Sequence, residues 1–160
     1  MSRPTALDWS ADNCSIGRTL DILGDRWSFI VLREVFQGIR RFDDLTVRTS
    51  IPRTVLTDRL HRFVETGILR REPYREPGAR SRFEYRLTQK GLDFYPVLLA
   101  LQTWGNQYLA DPQGPPNEFI HRNCGERLHL VMRCEAGHEL ERTREVGGRP
   151  GPGARRRDAS

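Results

Sequence analysis

The chain has 160 residues, of which 37% are hydrophobic, so it can bury one modest core and still have polar tails. The first residues carry charges where a secretion signal needs an apolar run, and no apolar stretch is long enough to span a membrane, so we expect a soluble, cytoplasmic protein with no membrane partner. Three cysteines are too few for a disulfide-stapled secreted domain and are expected to be free thiols.

The net charge of +5 is concentrated in one third of the chain. Residues 40–90 contain twelve Arg and one Lys against seven acidic residues, whereas the residues before them carry a net charge of −1 and the residues after them a net charge of 0. A local positive excess favours a polyanion partner, because contacts to phosphates gain free energy from the release of counterions.

Residues 15–36 predict two helices separated near Gly24. Apolar residues recur at helical spacing in the first, after Ser15, which can cap it. The second, DRWSFIVLREVF, is apolar on most sides, so we expect it at the centre of the domain.

A short helix, FDDLTVRT, is predicted from Phe42 to Thr49 and leads directly into an amphipathic helix from Ser50 to Gly67. Ser50 can cap this second helix, Pro52 is tolerated in its first turn, and Gly67 can end it. Two helices joined by so short a connection predict a helix-turn-helix.

The outer face of the second helix is polar, and taken alone it would be interpreted as an ordinary solvated surface. Short hydroxyl and guanidinium side chains crowd its first half, which is the part that a recognition helix presents to DNA. We expect Arg53, Thr54 and Thr57 nearest to base edges, with Ser50 and His61 as further DNA contacts.

After Gly67 the hydrophobic pattern becomes alternating, so residues 68–74 and 82–87 are predicted strands. Pro77 and Gly78 mark the turn between them. A basic hairpin directly after a helix-turn-helix predicts a wing, so the fold class is α+β, mostly α: a winged helix-turn-helix domain with flanking dimerisation helices. The cations expected to contact phosphates are Arg40, Arg41, Arg75, Arg80 and Arg82.

Thr88 can cap the following helical region, in which Pro96 predicts a kink or two consecutive helices. This region has more apolar surface than one small winged domain can cover, which favours a homodimer. The first helix is expected to contribute to the interface, together with Leu98, Leu101, Trp104 and Tyr108.

The domain boundaries follow from composition. We expect an N-terminal arm (1–14), the winged domain with its dimerisation helices (15–110), a linker (111–116), a small extension (117–146) and a disordered tail rich in Gly, Pro and Arg (147–160). Within the extension, RLHLVMRC alternates like a strand and a turn is expected at Glu135 to Gly137, as in a β-hairpin.

Cys14 lies just before the first helix, where the helix dipole would stabilise a thiolate. One interpretation is therefore a reactive, possible redox-sensing thiol, and the other is a small residue buried in the dimer interface.

His121, Cys124, Cys134 and His138 have the ligand types of a structural zinc site. A zinc ribbon more often has C-x2-C on both arms, so a metal-free tail is the favoured interpretation and zinc the alternative; we assign no cofactor.

Seven features resemble the HxlR-type winged helix-turn-helix transcriptional regulators, which are relatives of the MarR-like regulators. They are a Cys before the first helix, LDILGDRW at 20–27, RRFDDL at 40–45, LTDRL at 56–60, ETGILRR at 65–71, FEYRLTQKG at 83–91 and the pair Trp104-Gly105. The resemblance implies a cytoplasmic homodimer on an inverted-repeat DNA operator, without enzymatic activity, and in some relatives the matching Cys senses oxidants. Pro52 departs from the family pattern, which usually has a capping Ser there.

Two other functions stay open. Winged helices also serve as protein-interaction modules, although such a module does not need the positive excess of residues 40–90. In the second alternative, the protein is primarily a sensor that responds through a thiol or a metal, and DNA binding is the output of that response. The effector is then a redox signal or an unidentified small molecule. No catalytic triad ordering, phosphate-binding glycine loop or paired metal motif occurs in the first 110 residues, so an enzyme is disfavoured.

Overall fold

A computed structural model describes residues 8–78 and 80–157. Residues 22–119 form one compact unit, and the described parts of 1–21 and 120–160 form another. The helices are α1 (Ser15–Leu23), α2 (Arg26–Phe36), α3 (Phe42–Thr49), α4 (Arg53–Glu65), α5 (Gln89–Leu92) and α6 (Tyr95–Leu109), and the strands are β1 (Leu69–Tyr74) and β2 (Arg82–Leu87). The predicted fold class, mostly helical with a small antiparallel sheet, is confirmed. No helix in the described ranges is long and apolar enough to cross a membrane.

The second helix is central, as its composition predicted. Val31 and Leu32 are fully buried, and α2 packs against α3, α4, α6 and β2. Glu34, on the same helix, is also fully buried, which the sequence analysis did not anticipate. Its carboxylate accepts hydrogen bonds from Arg33 and, at 3.0 Å, from Nε of Arg48 on α3. The buried carboxylate therefore ties α3 to the central helix.

Asp25 caps α2 and links it to α4. Its Oδ1 accepts hydrogen bonds from the backbone N–H groups of Trp27 (3.0 Å) and Ser28 (3.1 Å), and its Oδ2 lies 3.1 Å from Nη1 of Arg59. Burial alone would raise the pKa of Asp25, but the hydrogen bonds from Ser28 and the charge of Arg59 outweigh it, so the pKa lies below its usual value of 3.8.

Because of that lowered pKa, the stabilising effect of Asp25 is present above pH 3.8 and is lost as the pH falls through the folded-state pKa. We expect Asp25→Ala to lower the free energy of unfolding by about 1 to 2 kcal/mol at pH 7, since it removes a helix cap. Urea unfolding at pH 7 and pH 3 measures this, and the difference from wild type should shrink at pH 3. Asp58→Ala, on the exposed face of α4, is the control. An undiminished difference at pH 3 would contradict the assignment.

The predicted start of the recognition helix is wrong by three residues. Ser50 does not cap α4; it ends α3 in a left-handed conformation, with φ 55°, and its N–H bonds to the carbonyl of Thr46. Helix α4 begins at Arg53 after Pro52, without a side-chain cap. A local pattern of capping residues cannot distinguish the end of one helix from the start of the next when the connection is this short. The predicted end is confirmed, since Gly67 follows α4 with φ 70°.

The wing is an antiparallel hairpin in which Leu69 pairs with Leu87 and Tyr74 with Arg82. The two predicted strands are confirmed to within one residue. A short backbone contact attaches the segment before α3 to this hairpin: the N–H of Tyr85 bonds to the carbonyl of Arg40 at 2.8 Å. The basic pair at residues 40 and 41 is thereby placed beside β2.

The base of the wing is fixed to α5. The Thr88 hydroxyl caps α5 by accepting from the N–H of Gly91 (3.2 Å) and donates to the carbonyl of Gly67 at 2.6 Å. A Cβ on Gly91 would lie 2.3 Å from the carbonyl oxygen of Ile68, so this close approach requires glycine. The cap predicted at Thr88 is confirmed.

The late helical region forms two helices, with Pro96 in the first turn of α6. Leu98 was predicted in the dimer interface, but it is only 4% exposed and packs within the protomer. Four exposed apolar residues of α6 instead recur at intervals of four, three and four positions, and Leu109 at the end of the helix is also exposed. We call them the α6 stripe: Val97, Leu101, Trp104 and Tyr108. Leu98 was misassigned because helical spacing alone does not tell which side of an apolar helix faces its own core.

The other unit joins the two ends of the described chain. The N–H of Ser10 bonds to the carbonyl of Arg155 at 2.8 Å, the N–H of Arg157 to the carbonyl of Asp8 at 2.9 Å, and Trp9 pairs with Arg156. Residues 155–157, which composition assigned to a disordered tail, are thus bonded to the N-terminal arm.

The predicted strand at RLHLVMRC is not formed as a regular strand. Residues 132–140 make a short hairpin-like turn instead, in which the N–H of Cys134 bonds to the carbonyl of His138 and that of Leu140 to Met132. The turn expected at residues 135–137 is confirmed, with Gly137 at φ 86°.

Candidate nucleic-acid interface

Helix α4 has one buried face and one exposed polar face. Leu56, Leu60 and Phe63 are fully buried, which leaves Thr54 and Thr57 exposed in the first two turns. The Thr57 hydroxyl donates to the carbonyl of Arg53 at 2.8 Å, so its oxygen remains available as an acceptor. His61 is exposed further along the same face, with Nδ1 at 3.4 Å from Glu65 Oε2.

A cleft of about 370 Å³ lies between the helix-turn-helix and the wing. It brings together three of the predicted cations with one that was not predicted and with three carboxylates. Its charged lining residues are Arg41, Arg53, Arg71, Arg82, Asp43, Asp44 and Glu76. The cleft is therefore a mixed-charge surface, whereas the sequence predicted three of its four cations and none of its carboxylates.

Two of these arginines converge on one carboxylate. Nη1 of Arg53 lies 3.0 Å from Oδ1 of Asp43, and Nη1 of Arg82 lies 3.7 Å from Oδ2 of the same residue. The Arg53 guanidinium also stacks on the ring of Phe42, 4.6 Å from its centroid. The first residue of the recognition helix is thus held on two sides.

The other two arginines of the cleft stack on aromatic rings of the wing. Arg41 lies 4.4 Å from the centroid of Tyr74 and bonds to Glu76 at 2.6 Å, and this hydrogen bond holds the pKa of Arg41 above its usual value. Arg71 lies 4.0 Å from the centroid of Phe83. Arg71 was not predicted because the alternating pattern of a strand shows on which face of the sheet a side chain lies. It does not show which other elements that face contacts.

The remaining predicted DNA contacts lie outside the cleft. Arg40 is exposed beside β2, and Arg75 and Arg80 are exposed near the tip of the wing, where Gly78 has φ 77°. Arg75 and Arg80 extend the basic surface beyond the cleft on the hairpin itself, and Arg40 extends it along the segment bonded to β2.

One face of the wing is neutralised within the protein. Arg86 pairs with Glu72 (2.8 Å) and Glu84 (2.5 Å), and Arg70 pairs with Glu72 at 2.8 Å. The hydrogen bond from Arg70 lowers the pKa of Glu72, so this carboxylate stays charged. The face that carries these residues is therefore a weaker candidate for phosphate contact than the loop.

The four zinc-ligand candidates form two separate pairs. His121 Nδ1 lies 3.1 Å from Cys124 Sγ, and Cys134 Sγ lies 3.6 Å from His138 Nδ1. No group of three or more side chains suited to a metal ion occurs among the described residues. The structure therefore does not assemble the four-ligand site that the sequence left as an alternative.

Cys14 is exposed in the protomer and precedes the first residue of α1. Its sulfur lies 3.5 Å from the backbone N–H of Gly17, and its carbonyl accepts from the N–H of Arg18 at 3.0 Å. The thiol thus occupies the N-cap position and accepts from a backbone N–H of the first turn.

An exposed polar helix beside a basic hairpin defines a winged helix-turn-helix protein. The model of the HxlR-like helix-turn-helix family matches residues 22–113, and the chain belongs to this family. The HTH-type transcriptional regulator Rv3095 of Mycobacterium tuberculosis is 40% identical over 146 residues, which cover 91% of each chain. YdeP of Bacillus subtilis is 32% identical over 111 residues, or 67% of this chain and 85% of YdeP.

Solved structures agree with this family. The structure of PA1607, described as a candidate transcription factor, has a TM-score of 0.78 at 29% identity and covers 88% of this chain and 96% of its own. The reduced form of the redox regulator HypR has a TM-score of 0.53 at 30% identity and covers 57% of this chain and 90% of its own. The protein is accordingly a DNA-binding transcriptional regulator of the HxlR type.

Proposed function

We propose that the protein is a homodimer that binds an inverted-repeat operator, with α4 in the major groove and the wing on flanking DNA. The observation that carries this proposal is the exposed first half of α4, where Thr54 and Thr57 project beside Arg53. A helix of this width fits the major groove, and hydroxyl and guanidinium groups can read base edges there. We infer that it works in the cytoplasm and without enzymatic activity.

The wing supports the sequence-independent part of binding. Arg75, Arg80 and Arg82 lie on one hairpin, and Arg40 and Arg41 are attached to it through the backbone bond to Tyr85. Such a row of cations can contact phosphates on both sides of the groove that α4 occupies, which fixes the register of the helix.

The α6 stripe supports the homodimer. Its four apolar side chains are between 48% and 61% exposed, and the ring centroids of Trp104 and Tyr108 lie 5.3 Å apart with the rings tilted by 48°. Since a monomer rarely exposes so continuous an apolar row, a second copy of the same helix is the partner we propose. Two-fold symmetry then predicts inverted half-sites about one helical turn apart.

Selection of bound fragments from random DNA tests the proposal. The expected product is an inverted repeat. Recovery of fragments without a shared sequence would overturn it and would favour the alternative of a protein-interaction module.

Redox control of this binding is a second candidate, favoured by the position of the Cys14 sulfur near the N–H of Gly17 and by the structural similarity to a redox regulator. Diamide would oxidise Cys14 and Cys14 of the partner subunit to an intersubunit disulfide and would itself be reduced to the hydrazine. This bond, or a bulky adduct on the sulfur, would disturb the start of α1. We expect diamide to weaken operator binding of the wild type by about tenfold, a usual size for coupling between two sites. Cys14→Ser should bind the operator and ignore diamide.

A variant in which Cys124 and Cys134 are both Ser is the matched control, because it keeps the thiol at the cap and removes the other two. It should respond to diamide as the wild type does. Equal loss of binding by wild type and Cys14→Ser in the same titration would show that Cys14 is structural.

A further inference from the structure

Asp43 is shared between two elements that the proposed function assigns to DNA. It lies in the first turn of α3, and its two carboxylate oxygens contact Arg53 at the start of α4 and Arg82 at the start of β2. These three residues are far apart in sequence but meet in one cleft. The carboxylate is therefore a junction between the recognition helix and the wing.

The junction is not explained by stability. The side chains of Asp43, Arg53 and Arg82 are 62%, 63% and 65% exposed, and exposed ion pairs contribute little to the free energy of folding. All three lie at the surface where the proposed function places DNA. Their arrangement therefore matters chiefly when a polyanion approaches.

A phosphate that approaches this surface meets a carboxylate already bound to both guanidinium groups. It must displace the carboxylate from an arginine while being repelled by its charge. This repulsion by the carboxylate weakens the binding of every DNA sequence. Only a matching base lets Arg53 form hydrogen bonds to the base edge while Asp43 and Phe42 still hold its guanidinium in place.

We propose that Asp43 is a positioning residue that sets sequence specificity: it presents Arg53 to the base edge and weakens phosphate contacts on non-cognate DNA. This inference rests on the proposed function. It differs from the proposal for Arg53 itself, because Asp43 would act through the two arginines and would not contact DNA.

Asp43→Asn tests the inference, with binding measured on the selected operator and on unrelated duplex DNA of equal length. Asp44→Asn is the matched control, since it removes the same charge one residue further along α3 and has no hydrogen bond or ion pair to Arg53 or Arg82 in the described parts of the chain. Removing either charge should tighten binding to unrelated DNA. Only Asp43→Asn should also lower the ratio of operator to unrelated affinity, by about three- to tenfold, because two exposed pairs are lost.

Asp43→Glu, which retains the charge and can reach both arginines, should restore most of that ratio. The inference is overturned if Asp43→Asn and Asp44→Asn change both affinities by the same factor, since the effect would then be one of net charge alone. A wild-type protein that does not distinguish the operator from unrelated DNA would instead refute the proposed function, so the two failures are distinguishable.

Discussion

We expect Trp104→Ala to convert the proposed dimer into a monomer and to weaken operator binding by at least about a hundredfold, because each half-site then binds without the avidity of its partner. Trp104 is 55% exposed and is the largest side chain in the α6 stripe, so its removal leaves the protomer core intact. Large aromatic anchors commonly contribute about 2 kcal/mol or more to an interface. Sedimentation velocity at low concentration measures the change in mass, and operator titration measures the change in affinity.

The matched control is Leu92→Ala, which removes an apolar side chain of similar exposure (48%) from α5, outside the stripe. It should remain dimeric and bind the operator as the wild type does. A Trp104→Ala protein that sediments as the dimer would place the interface elsewhere and would favour the exposed residues Ile16 and Leu20 of α1.

We expect Arg53→Ala to relax the sequence preference at one operator position and to weaken binding to the preferred base there by about 1 to 3 kcal/mol. The reason is geometric: Arg53 begins the recognition helix, and Asp43 and Phe42 hold its guanidinium in a fixed place. Titrations against the operator and its single-base variants at that position measure the effect.

Arg80→Ala is the comparison for this experiment, since Arg80 lies on the wing and is assigned to phosphate. It should weaken all of these sequences by a similar factor. If Arg53→Ala also weakened them all equally, Arg53 would be a phosphate contact and the base-reading role would pass to Thr54 and Thr57.

The secondary structure could largely be predicted because periodicity and capping are local. The strands at 69–74 and 82–87, the cap at Thr88 and the break at Pro96 each depend on residues within a few positions. The errors occurred where a second structural element determines the role of a residue. Ser50 ends α3 instead of starting α4, and Leu98 faces its own core, because helical spacing does not identify the neighbour.

Three of the four arginines of the cleft were among the predicted DNA contacts, whereas Arg71 and the three carboxylates of the cleft were not. Charge counting located the excess over residues 40–90, and the turn chemistry placed a basic loop after the recognition helix. The contacts of Asp43 with Arg53 and Arg82 join residues 10 and 39 positions apart, so no local pattern could reveal them. The same limit applies to Glu34, whose burial depends on Arg48 from another helix.

A salt titration of operator binding measures whether cations of the helix-turn-helix and wing bind DNA phosphates, as we propose. Five cations in each protomer are assigned to phosphates: Arg40, Arg41, Arg75, Arg80 and Arg82. Since each phosphate contact contributes about −0.9 to the slope of log K against log salt concentration, the ten contacts of the dimer predict a slope of about −9. A slope near zero would contradict DNA binding through this surface.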